Sequence, residues 1–554
     1  MEHTRGDTRQ QTGRKPITVE DLSLEQQIGQ LFMVGFPGPH PSESVLDLIR
    51  RYHVGGIILF SRNLEDAYQI FDLTSRLQAV AREAGHPYPL LVAIDQENGM
   101  VQRLGSAVTP FPGNMALGAI GDEYTVLEVA ESTGQELKTL GINMNLAPDV
   151  DVNNNPTNPV IGVRSFGDDA LTVARLAAAA VTGYQRAGII SSLKHFPGHG
   201  DTATDSHLGL PVLSITRERL QSLELLPFAS GIRAGADTVM AAHVALPLLT
   251  SGDRTPATLS SSLLKDLLRD YLHFQGVIIS DCLEMEAIAG TVGTARGAVQ
   301  ALRAGIDLVL VSHTYARQEA SILMVYEALH TGELTRAAIA QAAQRVLDLK
   351  RRRVSWDSLP ASSGVTPGGT AQHRHLSERA YSASTTLVRN DMGLIPLRLD
   401  ASQRILVLTQ PPASMTLAVD LPFPHEYFAE CIRERHANTH DLCLDSEQSA
   451  AEPILEEELA QADLVIVATI NAHLDAQQAA LMERILRLGK RTIGVAVSNP
   501  YDIAVFPNLR TYLATYEYTR PALAAAVRVL FGESTATGRL PVTIPGISPE
   551  EGEE

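Results

Sequence analysis

Between residues 194 and 207 the chain reads Lys-His-Phe-Pro-Gly-His-Gly-Asp-Thr-Ala-Thr-Asp-Ser-His, which puts three imidazoles, two carboxylates and an amine on one short stretch. Packing does not ask for that density of titratable groups, but proton transfer does. A carboxylate two residues from an imidazole, as Asp205 is from His207, can fix the ring's tautomer and tune it for work near neutrality. The bland alternative is a solvated loop with an incidental histidine, and His195 and His199 on the same loop weigh against it. Asp281 is a second candidate. It follows the apolar Val277-Ile278-Ile279, where a carboxylate is costly unless hydrogen-bonded or set at a working surface. It reads as a nucleophile or base, against an N-cap for a helix starting near Leu283.

Other polar residues recur directly after apolar runs: Asp95-Gln96-Glu97 with Arg103 beyond, Asp149 and Asp151 with Arg164 beyond, Lys194-His195, His243, and Ser280-Asp281-Cys282. Charged groups make the stronger hydrogen bonds to hydroxyls, so Asp95, Arg103, Arg164 and Lys194 suit a polyhydroxylated ligand. Each taken singly could equally be an ion pair of a barrel rim.

The elements that must hold these residues are short apolar runs, each followed by an amphipathic or alanine-rich stretch of helical period: Gln30 to Phe36, Gly56 to Phe60, Leu90 to Ile94, Ile142 to Ala147, Ile189 to Leu193, Thr238 to Ala242, Gly276 to Ser280 and Asp307 to Val311. Strands apolar on both faces pair in parallel under helices, and their number predicts a closed (β/α)8 barrel, whose sites lie at the C-terminal strand ends. Arg-Ala-Gly recurs at 186–188, 233–235 and 303–305, between helix and strand, with glycine as a left-handed C-terminal cap. Ser23 to Gln26 fits a capping box. Residues 1–20 read as a disordered arm, 21–355 as the catalytic barrel, 356–375 as a Ser/Pro/Gly/Thr linker, 376–545 as a smaller α/β sandwich domain with an open sheet, and 546–554 as an acidic tail. Strands are predicted in the second domain over Arg404 to Thr409, Asp463 to Thr469, Thr492 to Val497 and Thr511 to Thr515.

A net charge of −18 argues against nucleic acid or an anionic membrane as a partner. Cys282, Cys431 and Cys443 are too few and too scattered for a disulfide framework or a paired-cysteine zinc site. Without an apolar leader or a long uncharged apolar run, a cytoplasmic location is expected, as a monomer or homodimer.

The 194–207 loop, together with Ile94-Asp-Gln-Glu-Asn-Gly99, Val163-Arg-Ser-Phe-Gly167 and Gly276-Val-Ile-Ile-Ser-Asp281, resembles the glycoside hydrolase family 3 β-N-acetylglucosaminidases of the NagZ type. Residues 372–545, with Ser498-Asn-Pro-Tyr-Asp502 and Gly538-Arg-Leu-Pro-Val542, resemble that family's second domain. The resemblance implies a retaining double displacement on a small carbohydrate, with Asp281 as nucleophile and His207, oriented by Asp205, as acid and base. An imidazole would then replace one of the usual two carboxylates. It further implies that Asp95, Arg103, Arg164, Lys194 and His195 hold the non-reducing sugar, that His199 buttresses the loop, and that no metal or organic cofactor takes part. Two positions depart from the family: Asn98-Gly99-Met100 stands where Gly-Gly-Arg is usual, and Glu284 where small residues are common. The rival readings are a family 3 β-glucosidase or xylosidase, a phosphorylase acting on the same sugar, a sugar-binding module, and a metal-dependent hydrolase using His195, His199, Asp201, Asp205 and His207 as ligands.

Overall fold

A computed structural model describes residues 17–410, 416, 418, 419, 424–444 and 452–547. Strands β1 (Phe32–Val34), β2 (Gly56–Leu59), β3 (Leu91–Ile94), β6 (Met144–Asn145), β7 (Ile190–Phe196), β8 (Thr238–Ala241), β9 (Val277–Cys282) and β10 (Leu308–Val311) close into one parallel barrel. Every one of the eight falls on an apolar run singled out in the sequence. A two-stranded antiparallel hairpin, β4 (Gln96–Asn98) and β5 (Val101–Gln102), departs from the end of β3.

Side chains alternate along the strands, so each one feeds two cores. Met33, Ile58, Leu91, Ala93, Met240, Ile279 and Leu310 fill the barrel interior, joined by Val346 and Leu349 of the helix Arg336–Arg353. Their neighbours Phe32, Val34, Ile57, Val92, Ile278 and Val309 face the surrounding helices. Both faces being buried explains why the runs are continuously apolar. Gly188, Gly235 and Gly305, the ends of the three Arg-Ala-Gly junctions, have φ of +79°, +92° and +122°, a left-handed backbone that costs glycine little. Ser23 forms the expected capping box with Gln26.

The second domain is a six-stranded mixed sheet in the order β11-β16-β15-β14-β12-β13. Strands β12 (Ile405–Thr409), β14 (Leu464–Thr469), β15 (Arg491–Ala496) and β16 (Thr511–Ala514) lie on the predicted runs, and β11 (Thr386–Asn390) pairs antiparallel with β16. β11 and β13 (Thr439–Cys443) are edge strands that sequence analysis did not mark. The interval 356–375 holds two short 3-10 turns, and its last residues already belong to the helix Ala371–Ser384. Of the proposed arm and tail, residues 1–16 and 548–554 lie outside the described residues.

The two domains are hydrogen-bonded to one another: Asn153 Nδ2 donates to Tyr501 Oη at 3.0 Å, and the Thr543 N–H to Asp168 Oδ2 at 2.6 Å. Among the described residues, no helix is long and apolar enough to cross a membrane.

Candidate active site

The strand ends converge as the barrel reading requires. A cavity of about 400 Å3 opens at the C-terminal mouth, lined among others by Asp95, Glu97, Arg103, Arg164, Lys194, His195, His199, His207 and Asp281. Asp205 stands behind His207, away from this cavity.

One wall is an ionic network built around Glu97. Its carboxylate takes two hydrogen bonds from Arg164, Nε to Oε2 at 2.9 Å and Nη2 to Oε1 at 2.8 Å, and Lys194 Nζ stands 2.6 Å from Oε1. Lys194 Nζ also reaches Asp95 Oδ1 at 2.7 Å. Burial on its own would raise the Glu97 carboxyl, but Arg164 and Lys194 outweigh it and hold the group below its ordinary value. Burial works against the charged form of Arg164, but Glu97 first, then Asp149 and Asp151, raise its pKa. A planar guanidinium gripped bidentately presents its remaining N–H groups in a fixed direction.

Behind it sits a second polar layer. His195 Nδ1 lies 2.7 Å from Asp151 Oδ2, and its Nε2 lies 3.2 Å from Arg164 Nη2. Asp151 Oδ1 accepts the His199 N–H at 2.6 Å, so one carboxylate ties the end of β7 to the loop beyond it. Asp149 is different. Burial, and then Asp151 beside it, push its carboxyl well up, and its Oδ2 lacks a hydrogen-bond partner. His199 Nδ1 lies 2.7 Å from Thr202 Oγ1 and its Nε2 3.2 Å from Ser206 Oγ; burial, followed by the charge of His195, pushes it down to about 4. A neutral ring bonded at both nitrogens acts as a brace.

His207 and Asp281 line the cavity outside this network. His207 Nδ1 is 2.7 Å from Asp205 Oδ1, and Asp205 Oδ2 accepts from Thr416 Oγ1 of the second domain at 3.2 Å. Burial would raise the Asp205 carboxyl, but its hydrogen bonds from His207 keep it below the ordinary value. Asp281 ends β9, partly exposed to the cavity, with Oδ1 taking the Cys282 N–H at 2.7 Å. Burial opposes its charge, yet His243, His195 and His207 together lower its pKa. It caps no helix: the next one, Glu286–Ala289, has Met285 at its N-cap. His243, fully buried, lies 2.8 Å from Thr258 Oγ1 and 2.9 Å from the Cys282 carbonyl, which pins the strand that carries Asp281.

Asp95, Arg103, Arg164, Lys194, His195, His199, His207 and Asp281 line this one mouth, with Asp205 behind His207 and with Arg164 and Lys194 inside an ion network. Sequence reasoning marked Glu97, Asp151 and His243 as strand-end polar residues without giving them a role. Their pairing needed three-dimensional proximity that spacing does not encode. Of the five residues of the metal-dependent alternative, Asp201 pairs with Arg219 at 3.7 Å, His199 is taken by Thr202 and Ser206, and His207 by Asp205. The tightest set of possible metal donors among the described residues is instead Asp149, Asp151 and His195, where Arg164 Nη2 already brings a cation to 3.6 Å of Asp149 Oδ2.

Comparison with known proteins gives a consistent picture. Residues 23–349 match the model of the glycosyl hydrolase family 3 N-terminal domain, and residues 385–550 that of the family's C-terminal domain. A β-hexosaminidase A of Pseudoalteromonas piscicida is 33% identical, over 94% of this chain and 97% of its own. The structure of a family 3 β-N-acetylglucosaminidase from Paenibacillus sp. str. FPU-7 superposes with a TM-score of 0.88 at 40% identity, covering 95% of this chain and all of that one. A fungal multi-domain family 3 β-N-acetylglucosaminidase gives 0.89 at 42% identity, and this chain spans 61% of its length.

Proposed function

Since the chain belongs to glycoside hydrolase family 3, in its two-domain NagZ-type branch, we propose that it is a retaining exo-β-N-acetylglucosaminidase, removing terminal non-reducing β-GlcNAc from cell-wall-derived or chitin-type saccharides. In this reading Asp281 attacks the anomeric carbon and forms a glycosyl-enzyme. His207 Nε2 gives its proton to the departing oxygen, and the same nitrogen then takes a proton from the water that releases the sugar. Asp205 fixes the ring with Nδ1–H toward itself and stabilises the imidazolium, which keeps Nε2 as the working atom. Asp95, Arg103, Arg164, Lys194 and His195 hold the sugar, and His199 braces the loop.

The observation that carries this reading is that His207, held by Asp205 at 2.7 Å, lines the same cavity as Asp281. A β-glucosidase using two carboxylates has no need of that pair. The names of the relatives, β-hexosaminidase and β-N-acetylglucosaminidase, support the acetamido sugar. The test is hydrolysis of the nitrophenyl β-N-acetylglucosaminide against the nitrophenyl β-glucoside, run in phosphate and in phosphate-free buffer with chelator present. Preference for the acetamido sugar, free GlcNAc as product and full activity in chelator are expected. Equal rates on the glucoside, or GlcNAc 1-phosphate as the main product, would sink the proposal.

A further inference from the structure

The β4–β5 hairpin belongs to the barrel at its base and to the second domain at its tip. The base holds Glu97, whose single carboxylate grips both Arg164 and Lys194. The tip is Gly99-Met100, where arginine is usual in the family this sequence resembles. Met100 is 3% exposed, and its apolar neighbours are not those of the barrel: it belongs to the core cluster of the second domain, with Leu513, Tyr518 and Leu523. The backbone commits the tip to that direction. Asn98 and Gly99 have φ of +71° and +58°, and a β-carbon on Gly99 would fall 2.7 Å from Gly113 Cα. Gly113 is in turn held from the second domain, its N–H donating to Glu517 Oε1 at 3.2 Å. Glu97, Met100, Arg164 and Glu517 line one small void between the two domains.

We infer that Met100 and Glu517 are positioning residues through which the second domain sets the sugar-binding charges of the barrel. The inference rests on the functional reading above for the sugar and for the sugar-binding roles of Arg164 and Lys194. Asn98 and Gly99 alone separate Glu97 from Met100, so a tip that leaves its seat drags the carboxylate away from Arg164 and Lys194. Those cations then lose the fixed orientation on which ligand binding depends, and displacement of about 1 Å at such a group is costly.

Met100→Ala, Met100→Leu and Glu517→Ala in the full chain test this, with KM and kcat per folded molecule on an aryl β-N-acetylglucosaminide and amide hydrogen exchange of residues 95–104. A role confined to stability would lower the folded fraction and leave KM unchanged. A positioning role is expected to raise KM at least about fivefold in Met100→Ala and Glu517→Ala, with kcat within about twofold. Met100→Leu, which restores the volume, should return KM to the parent value. Exchange of the hairpin should quicken about tenfold while β2 and β8 keep their protection. Parent-like KM in the folded Met100→Ala and Glu517→Ala proteins overturns the inference, whatever the exchange of the hairpin. Should Met100→Ala not fold, Met100→Val is read by the same two measurements. If the parent hydrolyses no aryl glycoside, the functional reading fails, and hairpin exchange still decides the positioning role by itself.

Discussion

Asp205 Oδ1 takes two hydrogen bonds from one residue, the ring of His207 at 2.7 Å and its backbone N–H at 2.9 Å. The carboxylate therefore fixes both the position of the histidine and the rotation of its ring. A side chain held this way can exchange a proton at its free nitrogen without first finding its orientation.

Removing the imidazole should separate substrates by leaving group. His207→Ala is expected to slow hydrolysis of chitobiose by about 100-fold or more, the usual worth of a general acid. Dinitrophenyl glycosides, whose phenolate departs unaided, should lose less than about tenfold in the glycosylation step. Equal losses on both would mean that the proton comes from elsewhere.

Asp205→Asn exchanges an acceptor for an amide that can donate, which favours the wrong ring tautomer. kcat should fall by at least about 100-fold with KM little changed, since Asp205 lies behind the histidine and away from the sugar. Circular dichroism and melting temperature should stay close to the parent. A loss confined to KM contradicts the orienting role.

Asp281→Ala removes the carboxylate at the end of β9 and should lower turnover by more than about 10^3-fold on every substrate. Mass spectrometry of the parent with a 2-fluoro or otherwise slowed glycoside should find the sugar on the peptide containing Asp281. Labelling of any other carboxylate removes it as the nucleophile.

Glu97→Ala leaves Arg164 and Lys194 buried beside each other with Asp95 and Asp149 as remaining acids. Breaking a buried pair from one side costs about 3–5 kcal/mol, so a clear drop in urea midpoint is expected along with loss of sugar binding. A variant with parent stability would show that the network is weaker than its distances suggest.

Glu517 gives stability a pH dependence. Burial pushes its carboxyl from 4.5 up to about 8, with Thr519, Tyr381 and the Gly113 N–H as its neighbours. The fold prefers the protonated form, so this contribution is full below pH 4.5, declines as pH rises toward 8 and is lost above it. Glu517→Gln mimics the neutral acid. It should match the parent at pH 5 and exceed it at pH 9 by an amount on the order of a few kcal/mol in urea unfolding. Parallel pH profiles for the two proteins would mean that Glu517 is ionised in the fold.

The barrel was legible because its strands are buried on both faces and therefore written as unbroken apolar runs, from Ile57-Ile58 to Leu308 through Val311. β11 and β13 lie at the edges of the second sheet and have polar, half-exposed residues such as Arg389 and His440, so no apolar run announced them. Asp281 stood out as an acid directly after an apolar run, and His207 as an imidazole two residues from Asp205 on a stretch with two further histidines. Glu97 did not receive a role because its importance lies in two partners far along the chain. Met100 was noticed as a departure, but only the second domain's core explains it. Glu284, the other departure, accepts the N–H groups of His313 and Thr314 and so ties the loop after β10 to the end of β9.

The residue after Asp281 has a further meaning for reagents. Cys282 is buried beside Asp281, and burial pushes its thiol up to about 11. Alkylating agents attack thiolates, and at neutral pH this sulfur is not one. Iodoacetamide should therefore leave the enzyme active, and inactivation by a thiol reagent would report that the mouth of the barrel had opened.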